Sequence, residues 1–326
     1  MDAADGLNRA CDLGIIHVAM AQDIVNILAF FSFWLGACVA SFLNVVAWRL
    51  PRGESIVSPP SHCPKCNAPI KWWQNVPIVS WLALCGKCAN CREPISPRYI
   101  LVELLGGCLF LAAFFRYCPF VVLSQSNGVF LDYVKVVVLI AVWIWISLMI
   151  VGSIVDFDHQ LLPDFTTIGG MVLGVIVNLA VTIVNWILLP HIANDGQSVV
   201  VGVEGLIRYI SYPIFWSLSG LAFGFGLLWL IRYFGSKAFK REAMGMGDVF
   251  LMGAVGALFG PVAVLVTLIL SSVFGSVVGL SAVALSKTRL GRFTEIPYGP
   301  YICLGCLVWM FWGPELVNAY MEVIRQ

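Results

Sequence analysis

The sequence predicts an all-α polytopic membrane protein: about eight transmembrane helices, with a small cytoplasmic zinc-binding module between the first and second. Three observations predict it. Of 326 residues, 60% are hydrophobic and only 11% charged, with a mean hydropathy of +0.90. A soluble globule carries about a quarter charged residues, so this chain lacks the polar surface to stay in water. Its apolar residues come in runs of roughly 20, the length of a bilayer-crossing helix, whereas a barrel strand alternates over about ten. Four cysteines in two CxxC pairs occupy the longest interval between such runs. The same composition excludes disordered, collagen-like and secreted disulfide classes. A net charge of +1 offers no overall basic field, and hence no nucleic-acid partner.

In chain order, residues 1–22 read as an external N-terminal tail, because Arg9 is their one basic residue and no basic signal-peptide region precedes an apolar core. The apolar runs are 23–48, 99–115, 134–155, 165–189, 210–234, 249–259, 262–286 and 297–320. Residues 49–98 form the four-cysteine module and 99–320 the remaining bundle. The sixth run is short for a bilayer, and Gly260-Pro261 breaks it from the seventh. Read as a hairpin, the break gives eight spans; one kinked piece gives seven and moves the C-terminus across the membrane. With eight, Arg49, Arg52, Lys65, Lys71, Lys87, Arg92, Arg98, Arg232, Lys237, Lys240, Arg241, Lys287, Arg289 and Arg292 fall on one side. The positive-inside rule makes that side cytoplasmic and puts the N-terminus outside.

Cys63-Pro64-Lys65-Cys66 and Cys88-Ala89-Asn90-Cys91 carry the strongest local signal. Each CxxC turn aims two thiolates at one point, and two such turns complete a tetrahedral four-sulfur site. A reducing cytoplasm keeps these thiols from pairing as disulfides. The segment is poor in aliphatic residues and needs a metal to fold. Structural zinc held by Cys63, Cys66, Cys88 and Cys91 is therefore expected, against a redox CxxC pair or free thiols. Cys85 is treated as a bystander. Cys303 and Cys306 have the same spacing inside an apolar run, where they read as small buried hydrophobes.

Acidic residues at membrane depth form the second constellation. Asp156, Asp158 and Asp164 flank the junction of the third and fourth runs, and Gly245-Met246-Gly247-Asp248 leads into the sixth. A carboxylate at membrane depth costs about 3 kcal/mol on insertion scales and points to function. Two carboxylates that meet across helices share a proton, the arrangement that activates water against a peptide carbonyl. Gly245 and Gly247 allow an extended substrate to approach closely. Asp164 and Asp248 also stand where helix caps belong. The residues alone leave open which of Asp156, Asp158 and Asp164 partners Asp248. Glu103, in the second run, is assigned no role.

Taken together these segments resemble the prepilin peptidases (type IV leader peptidases), GxGD aspartic proteases of the membrane. The resemblance runs from Ala40-Ser41-Phe42-Leu43-Asn44-Val45 with Arg49-Leu50-Pro51, through the cysteine module, to Asp156-Phe157-Asp158-His159-Gln160-Leu161-Leu162-Pro163-Asp164 and Gly245-Met246-Gly247-Asp248. Ala40 replaces the family's glycine. The resemblance implies that Asp156 and Asp248 are catalytic. It implies removal of the basic leader of type IV prepilins and pilin-like (pseudopilin) secretion proteins at the cytoplasmic face of the bacterial inner membrane. The cysteine module resembles that of the family's long form, which implies that the chain also N-methylates the new N-terminus with S-adenosylmethionine. The interval 190–209 is long for the family. Competing readings are a proton- or cation-coupled transporter using the buried acids, a membrane thiol oxidoreductase using the CxxC pairs, and a scaffold that only binds a partner's helix.

Overall fold

The computed structural model describes residues 3–118, 120–123, 128–131, 133–194, 203–242, 244–285 and 297–325. Its helices are α1 (Ala3–Arg49), α2 (Val79–Ala83), α3 (Pro97–Arg116), α4 (Tyr133–His159), α5 (Asp164–Asn194), α6 (Val203–Phe239), α7 (Met246–Phe259), α8 (Pro261–Leu285) and α9 (Gly299–Arg325). Among the described residues each apolar run of the sequence forms a helix over most of its length. α1 begins well before its apolar run, so residues 3–22 continue the first helix. One element lies outside the all-helical expectation: β1 (Phe120–Leu123) and β2 (Gly128–Leu131) pair antiparallel, Phe120 opposite Leu131. Lys287, Arg289 and Arg292, and residues 195–202 of the long 190–209 interval, lie outside the described residues.

Among the described residues seven helices are long and apolar enough to cross a membrane, and α7 is the short eighth. Its 14 residues reach about 21 Å, less than the roughly 30 Å of hydrocarbon. A helix apolar on every side belongs inside protein, and Asp248, Val249 and Leu251 to Ala257 are all buried. Gly260 ends it at a φ of 85°, a conformation open to glycine, and Pro261 starts α8. The chain turns back there: a Cβ on Gly256 would lie 3.0 Å from Val264 Cγ2. The break is thus a sharp turn between two helices, as Gly260-Pro261 predicts.

The chain forms two compact units, Met1–Val46 with Ser55–Ser147, and Ala47–Glu54 with Leu148–Gln326. In the first, α1 meets α3 through small residues: a Cβ on Gly107 would stand 2.7 Å from the Phe33 ring, and one on Gly106 2.9 Å from the Gly36 carbonyl oxygen. Close backbone approach is what joins helices in lipid, where burial of apolar surface supplies no net drive. The Phe110 and Trp143 rings stack at 5.3 Å, and Trp143 Nε1 donates to the Phe110 carbonyl at 3.1 Å.

In the second unit α7 is packed between α5 and α6. Ser217 Oγ donates to the Ala257 carbonyl at 2.6 Å, and Asn178 Nδ2 to the same oxygen at 3.2 Å. These side chains satisfy carbonyls that α7 leaves open at its C-terminal end. A Cβ on Gly174 would stand 2.7 Å from the Ala257 backbone. Gly174→Val is therefore expected to push α5 off α7 and lower stability by about 1–3 kcal/mol, read as a reduced thermal midpoint in detergent; an unchanged midpoint contradicts this packing.

Candidate active site and metal centre

The last turn of α4 and the first turn of α7 each carry one buried carboxylate. Asp156 is 5% exposed and Asp248 is 9% exposed. Asp158 and Asp164, the other two acids of the first cluster, are exposed. Helical geometry explains the contrast: Asp156 follows Val151 and Val155 on the buried face of α4, and Asp158 projects two residues further round. The residues left three partners open for Asp248, and of these Asp156 is the buried one.

Each carboxylate receives a glycine backbone amide. Gly299 N–H, at the start of α9, donates to Asp156 Oδ2 at 3.0 Å. Gly245 N–H donates to the Asp248 carboxylate. Gly245 is the N-cap of α7 and Asp248 its third helical residue, so this bond closes half of a capping box. Asp248 thus caps its helix and also stands in the acidic centre.

Leu162, in the link between α4 and α5, ties the two halves together. Its side chain lies 3.2 Å from where a Cβ on Gly299 would stand, and its Cβ 2.8 Å from where one on Gly247 would stand. The glycine beside Asp156 and the glycine before Asp248 therefore clasp one leucine. Asp156 acts electrostatically on Asp248, and both act on the buried Cys303 thiol. The sequence assigned the room at Gly247 to an approaching substrate, but Leu162 fills it. At Gly245 the nearest neighbour to an added Cβ is Asp248 Oδ2 at 3.6 Å, an ordinary contact distance, so this glycine is less crowded than Gly247.

Sequence reasoning missed Gly299, Leu162 and Cys303 as members of this site. Pro297-Tyr298-Gly299-Pro300 did hold a signal, a glycine between breakers at the mouth of an apolar run, which marks close backbone approach. A Cβ on Gly299 would stand 2.6 Å from Asp156 Oδ2. Cys303 and Cys306 are buried as expected, and the Cys303 thiol points to the Met149 carbonyl at 3.9 Å.

In the first unit Cys63, Cys66, Cys88 and Cys91 bring four sulfurs within 4.8 Å of one another. Cys63 and Cys91 Sγ are 3.8 Å apart. A four-thiolate tetrahedron with metal–sulfur bonds of about 2.3 Å has edges of about 3.8 Å, so the cluster fits a metal ion. Two knuckles build it. Cys63 N–H and Asn67 N–H close the first turn, Cys88 N–H and Arg92 N–H the second, and Asn67 and Arg92 both adopt the left-handed conformation. The Asn90 amide, 3.5 Å from Cys66 Sγ, draws that thiol down to about 6. Backbone amides of Cys91 and Asn90 lower Cys88. Both effects favour the thiolate a metal requires. Cys85 is exposed and outside the cluster. Glu103, given no role by the sequence, is buried on α3 and accepts the Ile78 N–H at 2.7 Å, pinning α2 of the module to the span.

A helical bundle that buries two carboxylates, together with a four-cysteine cluster able to hold a metal ion on a loop between spans, defines a polytopic membrane protein. Residues 143–280, which hold both aspartates, match the type IV leader peptidase family, and residues 34–117 match the bacterial peptidase A24 N-terminal domain. The prepilin leader peptidase/N-methyltransferase of Myxococcus xanthus is 35% identical over 279 residues, 86% of this chain and 70% of that one. Its namesake from Stutzerimonas stutzeri is 30% identical over 320 residues, 89% of this chain and 93% of that one. The type 4 prepilin-like proteins leader peptide-processing enzyme of Escherichia coli O78:H11 is 30% identical over 288 residues, 83% and 88% of the two chains. The chain belongs to the type IV leader peptidase family and is a membrane peptidase of that family. No solved structure matches it.

Gly299→Ala sets a methyl against the Asp156 carboxylate. Peptidase activity is expected to fall about a hundredfold, the scale of a 1 Å misplacement, in a cleavage assay on purified protein; activity within twofold of wild type contradicts the contact.

Proposed function

We propose that the chain is a bifunctional membrane aspartic endopeptidase. It removes the basic leader of type IV prepilins and pseudopilins and N-methylates the new N-terminus with S-adenosylmethionine. The observation that carries the peptidase reading is the convergence of Asp156 and Asp248. Two carboxylates in one buried site do not both ionise easily, so they share a proton. The ionised member takes a proton from a bound water as that water attacks the scissile carbonyl. The protonated member donates to the carbonyl oxygen and later to the leaving amine. Gly299 and Gly245 N–H groups fix the direction of the two carboxylates. Gly245, where an added Cβ would meet only ordinary contacts, is where the cleavage junction approaches in extended form. The methyl-transfer reading is carried by the relatives' names and by the cysteine module that this chain keeps.

The basic residues around the module and the α6 end support an active site at the cytoplasmic face of the inner membrane, with the N-terminus outside. The substrate's basic leader then stays on that face while its apolar helix enters lipid beside the bundle. Zinc suits the four thiolates and leaves no open position on the metal for a catalytic water, so its role is to fold the module.

Incubating purified enzyme with a prepilin peptide is expected to yield the leaderless product, and adding S-adenosylmethionine to yield a product about 14 Da heavier (a methyl group in place of one hydrogen on the new N-terminal nitrogen). Asp156→Ala and Asp248→Ala each abolish cleavage while membrane insertion persists; cleavage by either variant contradicts the assignment. For the metal, elemental analysis is expected to find one zinc per chain, lost in the Cys63→Ser/Cys88→Ser double variant and retained in Asp156→Ala. Absence of stoichiometric metal, with Cys63 and Cys66 open to thiol reagents, overturns the zinc reading in favour of a redox pair.

A further inference from the structure

We infer that Arg232 is a positioning residue for Asp248, acting through the peptide group that joins Met244 to Gly245. Arg232 lies in α6, and its Nε donates to the Met244 carbonyl at 2.9 Å. The other end of that same peptide group is the Gly245 N–H, which donates to the Asp248 carboxylate. A peptide unit is planar and stiff. Holding its oxygen therefore sets where its N–H points, and the guanidinium orients the aspartate from the far side of one amide plane. A charged donor on the oxygen also polarises the amide, so the two hydrogen bonds strengthen each other.

The local sequence explains why this peptide needs an outside hold. Gly245 and Gly247 bracket Met246, and glycine backbone rotates with little steric restraint. An added Cβ on Gly245 would meet Asp248 Oδ2 first, at 3.6 Å, which places that carboxylate beside the Met244–Gly245 peptide. Arginine suits the task because its donors form a rigid fork. While Nε holds the carbonyl, Nη2 reaches Glu242 Oε1 at 3.3 Å. The Arg232 side chain is 26% exposed and that of Glu242 82%, so the carboxylate end of the fork lies in solvent, where an ion pair contributes little. Asp156 is held differently, by the Gly299 amide on another helix.

The inference rests on the proposed role of Asp248, and the test separates the two. With a prepilin peptide as substrate, Arg232→Met is expected to lower kcat about ten- to a hundredfold with KM within about twofold, because alignment is lost and binding is not. Arg232→Lys restores one donor and recovers part of kcat. Glu242→Gln keeps the carbonyl contact and the wild-type kcat. If Asp248→Ala cleaves, the reading beneath the inference fails. If Asp248→Ala is inactive but Arg232→Met keeps its kcat, the inference alone fails. A loss in Arg232→Met that Arg232→Lys does not recover, with a matching fall in thermal midpoint, assigns Arg232 to stability and also overturns it.

Discussion

Two acids held together inside a lipid-embedded bundle govern the architecture of the second unit. A carboxylate away from water is unfavourable by a few kcal/mol, and a second one beside it adds repulsion. Such a pair persists only where backbone donors and tight packing fix it. The chain supplies both with glycine. Gly299 and Gly245 bring bare amides to the two carboxylates, and Gly247 and Gly299 accept Leu162 between them. α7 is the element that makes the arrangement possible. It is too short to span a bilayer by itself, yet most of it is buried against α5, α6, α8 and α9, so Asp248 is delivered at depth on a fixed helix start.

The cysteine module solves a different problem in a separate unit. Its segment has little apolar mass of its own, and four thiols converge within it. Glu103 then couples the module to the membrane span: a buried carboxylate on α3 meets the backbone amide of Ile78, which carries a φ of 62°, rare for a β-branched residue. The two family matches fall on the same division, 34–117 with the module and 143–280 with the acid pair.

Much of this was legible in the sequence because it rests on local patterns. Apolar run length located the helices, Gly260-Pro261 announced the turn after α7, and the two CxxC turns announced the thiol cluster. Asp156 and Asp248 stood out as acids where acids are costly. What the residues did not reveal was tertiary in origin. The resemblance to leader peptidases pointed to Asp156 over Asp158 or Asp164; that Asp156 alone of the three is buried follows from which face of α4 packs inward, which the residues by themselves do not reveal. Gly247 read as space for substrate, whereas Leu162 fills it, because the leucine comes from a link remote in sequence. The β1–β2 pair lay between apolar runs, where short alternating patterns carry little weight, and the helical start of α1 lay upstream of its apolar run.

The most direct measurement is covalent. In a variant carrying Asp156→Cys and Asp248→Cys, mild oxidation in membranes should rapidly yield a peptide disulfide-linked between positions 156 and 248, identified by mass spectrometry. The same treatment of an Asp158→Cys/Asp248→Cys pair should give little. A cross-link at 158 with none at 156 would contradict the convergence on which the site depends.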